Sequence, residues 1–175
     1  MGAELSAAVR ITDWFRWEGN MVLSRNKLLN YKQYIDLYDN QNDWNWIGQD
    51  SIEGTVTIAF SPTITAMSLF TFDYKGFVGT IQTNITGRQY LDNTQDVAAM
   101  LRAYTTTNVN LQYTIPTKRR GVPEIKLLCQ LNNIFNAKYA NNGGAESSRF
   151  SDGSRCTWYY AQAGINVHGG FVVRW

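Results

Sequence analysis

The sequence has few charges, few cysteines and a single histidine, and each shortage excludes a class of protein. Charged residues make up 17% of the 175 residues, below the roughly 25% of typical globular chains. A formal net charge of +2 provides no basic field for phosphates, so we exclude nucleic acid as a partner. Two cysteines do not predict a disulfide framework, and one histidine does not allow a histidine-based metal cluster.

Long hydrophobic runs and catalytic motifs are also missing. The longest unbroken apolar run, 97–101, is far shorter than the roughly 20 residues of a membrane-spanning helix. The first residues lack the basic and apolar regions of a signal peptide. The chain contains no glycine-rich phosphate loop, G-x-S-x-G or C-x-x-C motif, and Asp39, Asp43 and Asp50 lack the spacing of a calcium-binding loop. We therefore predict no enzyme activity, no cofactor and no metal.

Apolar and polar residues alternate along most of the chain, which is the pattern of β-strands with one apolar face. The end of the chain shows it well, because Val167, Phe171, Val173 and Trp175 fall on one face and mostly polar residues on the other. The same alternation predicts about seven strands, at 3–11, 15–25, 63–73, 77–90, 103–115, 124–132 and 165–175. No segment has a convincing helical pattern. We therefore predict an all-β, antiparallel fold.

The lengths of the predicted strands and connections favour a membrane barrel. The strands exceed the roughly 5–6 residues of soluble strands and suit the roughly 9–11 residues of tilted transmembrane strands. Tight turns alternate with the longer connections 26–62, 91–102 and 133–162, as in outer-membrane barrels. We expect part of 26–62 to extend its flanking strands. The apolar faces carry almost no charge, as lipid requires. These features together predict part of an antiparallel transmembrane β-barrel.

Aromatic residues gather at the strand ends and in the two longest loops. Trp14, Phe77 and Tyr113 mark the turn side, as in the aromatic bands at membrane interfaces. Five loop aromatics are candidates for a ligand-facing surface: Trp44, Trp46, Trp158, Tyr159 and Tyr160. The alternative is that they pack within the loops or form the second aromatic band. The basic run Lys118-Arg119-Arg120 is interpreted as a solvated turn.

Several segments resemble TonB-dependent outer-membrane receptors, in the style of receptors from the Bacteroidetes. Residues 131–139 (LNNIFNAKY), followed by Asn142-Gly143, resemble a segment of that family, and 162–166 (QAGIN) with the aromatic end resembles its closing strand. Shorter matches follow the same order, at 15–17 (FRW), 24–27 (SRNK), 60–62 (FSP) and 89–93 (QYLDN). The resemblance therefore covers essentially the whole chain.

The resemblance implies that residues 1–175 are the C-terminal segment of a receptor barrel of about 22 strands, the last seven of them, without plug domain or signal peptide. It implies the outer membrane of a Gram-negative cell and active uptake of a bulky substrate: an iron–siderophore complex, haem, cobalamin or a glycan. The implied partners are outer-membrane lipid, the barrel-assembly machinery, the substrate and, through the missing N-terminal part, the TonB complex. Phe171, Val173 and Trp175 are then the signal that the barrel-assembly machinery recognises.

Two alternatives stay open. One is a soluble β-sandwich that binds carbohydrate through the aromatic loops. The alternation of short and long connections and the nearly charge-free faces speak against it. The other is a complete small outer-membrane barrel of about eight strands, which needs a further strand and a signal peptide.

Overall fold

The structure is a computed structural model that describes residues 1–116 and 123–175. The run Lys118-Arg119-Arg120 lies outside the described residues. The strands are β1 (Gly2–Thr12), β2 (Phe15–Ser24), β3 (Lys27–Tyr38), β4 (Trp46–Thr57), β5 (Ile64–Tyr74), β6 (Phe77–Thr86), β7 (Gln89–Tyr90), β8 (Met100–Leu101), β9 (Tyr104–Ile115), β10 (Glu124–Asn132), β11 (Ala140–Ala145), β12 (Arg149–Phe150), β13 (Thr157–Ala161) and β14 (Asn166–Arg174). Among the described residues, no helix is long and apolar enough to cross a membrane.

Seven strands form one antiparallel sheet in the order β1-β2-β5-β6-β9-β10-β14. These are the seven predicted strands, and the antiparallel all-β prediction is confirmed. The predicted strand 77–90 is too long, because β6 ends at Thr86 and β7 belongs to another sheet. The outermost strands β1 and β14 do not pair with each other, so the sheet is a partial, open barrel. This topology contradicts the complete small barrel.

A tight turn of two residues joins β5 to β6. Lys75 and Gly76 both have positive φ angles, of 50° and 81°. Two successive left-handed residues are typical of a type I′ turn, whose twist matches that of a hairpin. Gly76 has no Cβ and adopts this positive φ without steric cost. The turn holds the neighbouring aromatic strand ends in register, because Tyr74 pairs directly with Phe77.

The three long connections lie at the strand ends opposite the tight turns, and they contain strands of their own. β3 and β4 form a hairpin that β12 joins in parallel, β7 pairs with β8, and β11 pairs with β13. We call the residues 25–63, 87–103 and 133–165 the loop layer. The Ser24 N–H donates a hydrogen bond to the Thr63 carbonyl (2.9 Å), and the Ile58 N–H donates one to the Asn26 carbonyl (3.2 Å). These backbone hydrogen bonds continue the β2–β5 ladder into β3–β4. The expected extension of the flanking strands is thereby confirmed, whereas the short strands in the other two long connections were not predicted.

The apolar residues that are fully buried lie in the loop layer and not in the seven-stranded sheet. Within the described residues they are Ile35, Val56, Leu91, Ala99, Leu101 and Phe150. The large apolar side chains of the seven strands are half-buried or exposed, and no second sheet of the described chain covers them. A sandwich buries such residues between two sheets. The structure therefore contradicts the β-sandwich alternative.

Candidate functional site

The strand register joins the apolar positions of all seven strands into one continuous face, here called the apolar face. Leu5 lies opposite Met21, Trp17 opposite Phe70, and Ile81 opposite Val109. Residues directly opposite each other on antiparallel strands point to the same side of a sheet. Within the described strands, the apolar face carries no charged residue. The seven-stranded sheet thus presents an uncharged surface to its surroundings.

Polar side-chain atoms near the middle of the apolar face bond to one another. The indole Nε1 of Trp17 donates to Ser68 Oγ at 2.9 Å. The hydroxyls of Thr83 and Thr107, on directly opposed residues, lie 3.0 Å apart. An unpaired polar group costs several kcal/mol where no water is available. The pairing lets this face lie against a nonpolar medium without unsatisfied groups at these four residues.

The opposite side of the sheet, the polar face, carries every charged residue of the seven strands. These residues are Glu4, Arg10, Arg16, Glu18, Asp73, Glu124, Lys126 and Arg174. Arg16 pairs with Glu18 at 3.1 Å, and Arg10 pairs with Asp13 in the adjoining turn at 3.0 Å. Amides form a further ladder, in which Asn132 Nδ2 donates to Asn166 Oδ1 at 2.9 Å. The polar face is therefore suited to water or to a polar partner.

Aromatic rings form a contiguous cluster on the turn side of the apolar face. Trp14 contacts Phe72 edge-on, with ring centroids 5.2 Å apart. Phe72 also contacts Phe77 at 5.8 Å, and Phe15 stacks on Phe70 at 5.9 Å. Offset and edge-to-face geometries are favourable for aromatic pairs. The sequence prediction placed Trp14 and Phe77 on the turn side, and the structure brings both into one cluster with Phe15.

The predicted assembly residues Phe171, Val173 and Trp175 lie at the end of the chain on the turn side. Phe171 lies opposite Leu127 and Val173 opposite Ile125, so both belong to the apolar face. Phe171 is 73% exposed, and Trp175, just after β14, is fully exposed. Their availability to a second protein fits the predicted role, which stays a prediction.

Trp44 and Trp46 lie at the tip of the β3–β4 hairpin but have different environments. Trp44 packs against Tyr38 and Phe150, with ring centroids 5.4 and 4.9 Å away. Trp46 is 61% exposed, and its Nε1 donates to Asp36 Oδ1 at 3.3 Å. Trp44 thus links the hairpin to β12, whereas the Trp46 ring is presented to the surroundings.

Trp158, Tyr159 and Tyr160 lie on β13, in a different sheet of the loop layer. The Trp158 ring lies against the backbone of Gly144, so close that a Cβ on Gly144 would sit 2.3 Å from it. Tyr159 donates its hydroxyl to the carbonyl oxygen of Ala98 at 3.0 Å, and Tyr160 is 57% exposed. The five candidate aromatics therefore form two separate groups. The assignment of ligand contacts to them stays a prediction.

An ion cluster that the sequence analysis missed ties the loop layer together. The Arg155 side chain is 1% exposed and forms an ion pair with Asp92, 2.5 Å away. Its Nη1 donates to Thr94 Oγ1 at 2.8 Å and lies 3.7 Å from Asp96. Arg149 approaches the same Asp96 carboxylate at 3.5 Å. The only sequence signal was the QYLDN resemblance, which includes Asp92 but not its basic partners.

The segment that holds these acids also contacts the β3–β4 hairpin. Asn93 Oδ1 accepts a bond from the Ala59 N–H at 2.8 Å, and Gln95 Nε2 donates to the Thr57 carbonyl at 3.0 Å. With Arg155 and Arg149 on the other side, residues 92–96 therefore contact both of the other long connections. The loop layer is built as one connected unit.

Hydrogen bonds shift the pKa of groups at the surface of the loop layer. The side-chain amide of Asn45 holds the pKa of Asp39 below its ordinary value, and the N–H groups of Asn40 and Asn45 act in the same direction. The bond to Glu53 raises the pKa of Lys32 on the outer side of the hairpin. Burial raises the pKa of Tyr139, which stacks on Tyr104 at 4.3 Å. These groups keep their ordinary charge near neutral pH.

The structure shows no grouping suited to a resident metal in the part of the chain that it describes. Three or more His, Cys, Asp or Glu side chains do not converge anywhere within 1–116 and 123–175. The only histidine, His168, lies on the polar face and contacts Asn166 Oδ1 at 3.1 Å. Its environment is that of a polar wall residue.

Comparisons with known proteins show similarity at the level of the fold. No family model and no curated protein sequence matches the chain. Over 99% of its length the chain is similar to the ferric yersiniabactin uptake receptor FyuA from Yersinia pestis, with a TM-score of 0.63 and 16% sequence identity. A match to the ferric-catecholate import receptor Fiu of E. coli K12 covers 99% of this chain, with a TM-score of 0.46 and 11% identity.

Both matched proteins are TonB-dependent outer-membrane receptors. This chain spans 23% of the length of FyuA and 27% of the length of Fiu. Its fold is that of a partial antiparallel β-barrel similar to part of such a receptor.

Proposed function

We propose that this chain is a section of the membrane-spanning wall of a TonB-dependent outer-membrane receptor. The observation that carries the proposal is the apolar face, which is free of charge across all seven strands and is not covered by the described chain. Burying such a surface in hydrocarbon is favourable by about 25 cal/mol per Å², whereas in water it would drive aggregation. The similarity in fold to a receptor of this type supports the same proposal.

The remaining parts of the proposal concern the complete protein. The chain is the C-terminal segment of a receptor of the Bacteroidetes type, whose plug domain and TonB-contacting part belong to other residues. The complete protein takes up a bulky substrate: an iron–siderophore complex, haem, cobalamin or a glycan. Uptake requires no catalytic step by this chain, and we assign it none.

The two ends of the strands, the loop layer and the turn side, have different roles in this proposal. The loop layer faces the outside of the cell, and the turn side faces the periplasm, as in outer-membrane barrels generally. The exposed rings of Trp46 and Tyr160 are then offered to the substrate, while the ion cluster around Arg155 keeps the loops in place. At the turn side, Phe171, Val173 and Trp175 are offered to the barrel-assembly machinery.

A matched pair of arginine substitutions tests which face meets lipid. Ile81 lies near the middle of β6 on the apolar face, and Gln82 is its neighbour on the polar face. An arginine facing the membrane midplane costs about 2–4 kcal/mol, so Ile81→Arg is expected to reduce outer-membrane yield severalfold or more. Gln82→Arg is expected to leave the yield unchanged, because it faces water.

The measurement is cell fractionation, with electrophoretic mobility compared before and after heating, since folded barrels migrate differently from unfolded ones. Detection with an antibody to the loop layer also shows the length of the polypeptide that carries these residues. A wild-type protein found outside the membrane fraction rejects the proposal. Equal yields of the two variants reject the assignment of the faces.

A further inference from the structure

A glycine leaves a groove in the apolar face, near its turn side. Gly79 lies opposite Phe72 on β5 and Leu111 on β9. The groove has a volume of about 200 Å³, and Phe70, Phe77 and Ile81 complete its apolar walls. A Cβ on Gly79 would lie 3.2 Å from the Phe77 ring and 3.5 Å from the Leu111 side chain. The Phe77 ring thus leans towards Gly79, which is itself buried and forms the floor of the groove.

Bulky residues stand on both sides of the gap along the strands. On the turn side, Phe77 has Tyr74 and Tyr113 as its cross-strand neighbours. On the other side, Ile81 has Phe70 and Val109. These two rows project beyond Gly79, so the groove is a recess in the face rather than part of a flat patch. A recess of this kind suits a narrow, flexible hydrocarbon chain better than another sheet.

A cation lies in the turn next to the groove, because Lys75 is two residues before Phe77, one of the groove's walls. Lys75 Nζ lies over the Tyr74 ring, 4.9 Å from its centroid. Tyr74 in turn contacts Phe72, a wall of the groove, at a centroid distance of 6.5 Å. A lysine beside an interfacial aromatic band keeps its ammonium at the level of lipid headgroups. The groove thus combines an apolar recess with a positive charge that complements a lipid phosphate.

We propose that the Gly79 groove is a binding site for one acyl chain of a membrane phospholipid, whose phosphate contacts the Lys75 ammonium. This inference rests on the proposed embedding of the apolar face in a membrane, and it goes further by naming one bound lipid and its position. The lipid belongs to the leaflet on the turn side, because both the groove and Lys75 lie at that edge. It fills the gap that the aromatic rows leave, so the wall presents a continuous surface to the bilayer.

Filling the gap with protein tests the proposal. In Gly79→Leu the new side chain occupies the groove, whereas in Gly169→Leu a leucine is added on the same face where a Cβ meets only the Leu128 carbonyl oxygen, at 3.9 Å. The probe is palmitoyl-oleoyl phosphatidylglycerol, counted by native mass spectrometry of protein extracted from membranes. In Gly79→Leu, about two methylenes of the acyl chain lose their contact with the groove, so we expect a roughly tenfold weaker retention of one lipid. Gly169→Leu is expected to retain the lipid as the wild type does.

The charge is tested separately. A cation near the membrane surface contributes about 1 kcal/mol to the binding of anionic lipid, so Lys75→Gln is expected to weaken phosphatidylglycerol retention about fivefold. Lys75→Arg is expected to keep it. Fluorescence or chemical labelling is not needed, since the lipid is identified by its mass.

The outcomes separate this inference from the proposed function. Each variant is first checked for membrane location and heat-dependent mobility. A wild-type protein outside the membrane overturns both proposals. A membrane-located wild type that retains no stoichiometric lipid, or equal retention by the Gly79 and Gly169 variants, overturns the groove site alone. A second protein chain found in place of the lipid does the same.

Discussion

Replacing Arg155 by methionine is expected to loosen the loop layer while leaving the seven-stranded sheet intact. The methionine side chain matches that of arginine as far as Nε, so packing along the stem is largely kept and the change removes the charged end of the guanidinium group. Asp92, Asp96 and Thr94 Oγ1 lose their shared partner. The carbonyl oxygen of Glu146, which also accepts a bond from Arg155, is left without it.

The magnitude follows from the burial of the cluster. Removing one partner of a buried ion pair costs about 3–5 kcal/mol, because the other charge stays desolvated. The Arg155 side chain is 1% exposed, but the side chains of Asp92 and Asp96 are 22% and 17% exposed and recover some hydration. The lower end, about 3 kcal/mol, is therefore expected. At about 1.4 kcal/mol per factor of ten, local opening becomes roughly 100-fold more frequent.

Hydrogen–deuterium exchange measures this opening residue by residue. Faster exchange is expected at 89–101 and 140–161, with the strands β5, β6 and β9 unchanged. Arg149→Met is the matched control. Its side chain is 24% exposed and 3.5 Å from Asp96, so we expect a cost of about 1 kcal/mol or less. Equal exchange in wild type and Arg155→Met would refute the idea that this cluster holds the loops.

Three further predictions concern other parts of the molecule. Trp175→Ser is expected to lower outer-membrane yield severalfold, since the assembly machinery loses an exposed aromatic, while Val172→Ser on the polar face leaves the yield unchanged; equal yields on immunoblots contradict the assembly role. A double-mutant cycle of Trp17→Phe and Ser68→Ala is expected to give a coupling of about 0.6–1.7 kcal/mol in denaturant unfolding from lipid, and zero coupling contradicts their hydrogen bond. Because the pKa of Asp39 lies below its ordinary value of 3.8, its contribution to the hairpin tip is present above that value and lost as the pH falls through the lowered pKa. Amide protection of Asn45 is expected to persist down to that value and to decline below it, and a decline near neutral pH contradicts the assignment.

The fold was largely predictable because its strands are long and strictly alternating. β10, for example, has the predicted bounds of 124–132. The loop layer was not predictable in the same way, because β3, β4 and β13 alternate poorly and β11 consists mainly of Asn and Gly. Their pairing is decided by tertiary contacts, such as those of Trp44 with Phe150 and of Arg155 with Asp92.

The candidate site shows the same division. Side-chain alternation marks which positions of one strand share a face, and it located Phe171, Val173 and Trp175 at the end of the chain. It says nothing about which residues of different strands become neighbours. Arg155 and Thr94 are separated by 61 positions in the sequence, and no local pattern connects them.

The sequence by itself determined the seven long strands, the separation of charge from apolar surface and the alternation of short and long connections. These are local properties. They are set by the steric preferences of single residues and by the alternation of side chains between the two faces of a strand. The tertiary structure alone decided the register, and a shift of about one residue reverses which face every side chain occupies. Register placed Gly79 opposite Phe72 and Leu111, on the floor of the groove between two rows of bulky side chains. The tertiary structure also leaves the apolar face uncovered by the described chain. The fully buried apolar residues lie in the loop layer instead.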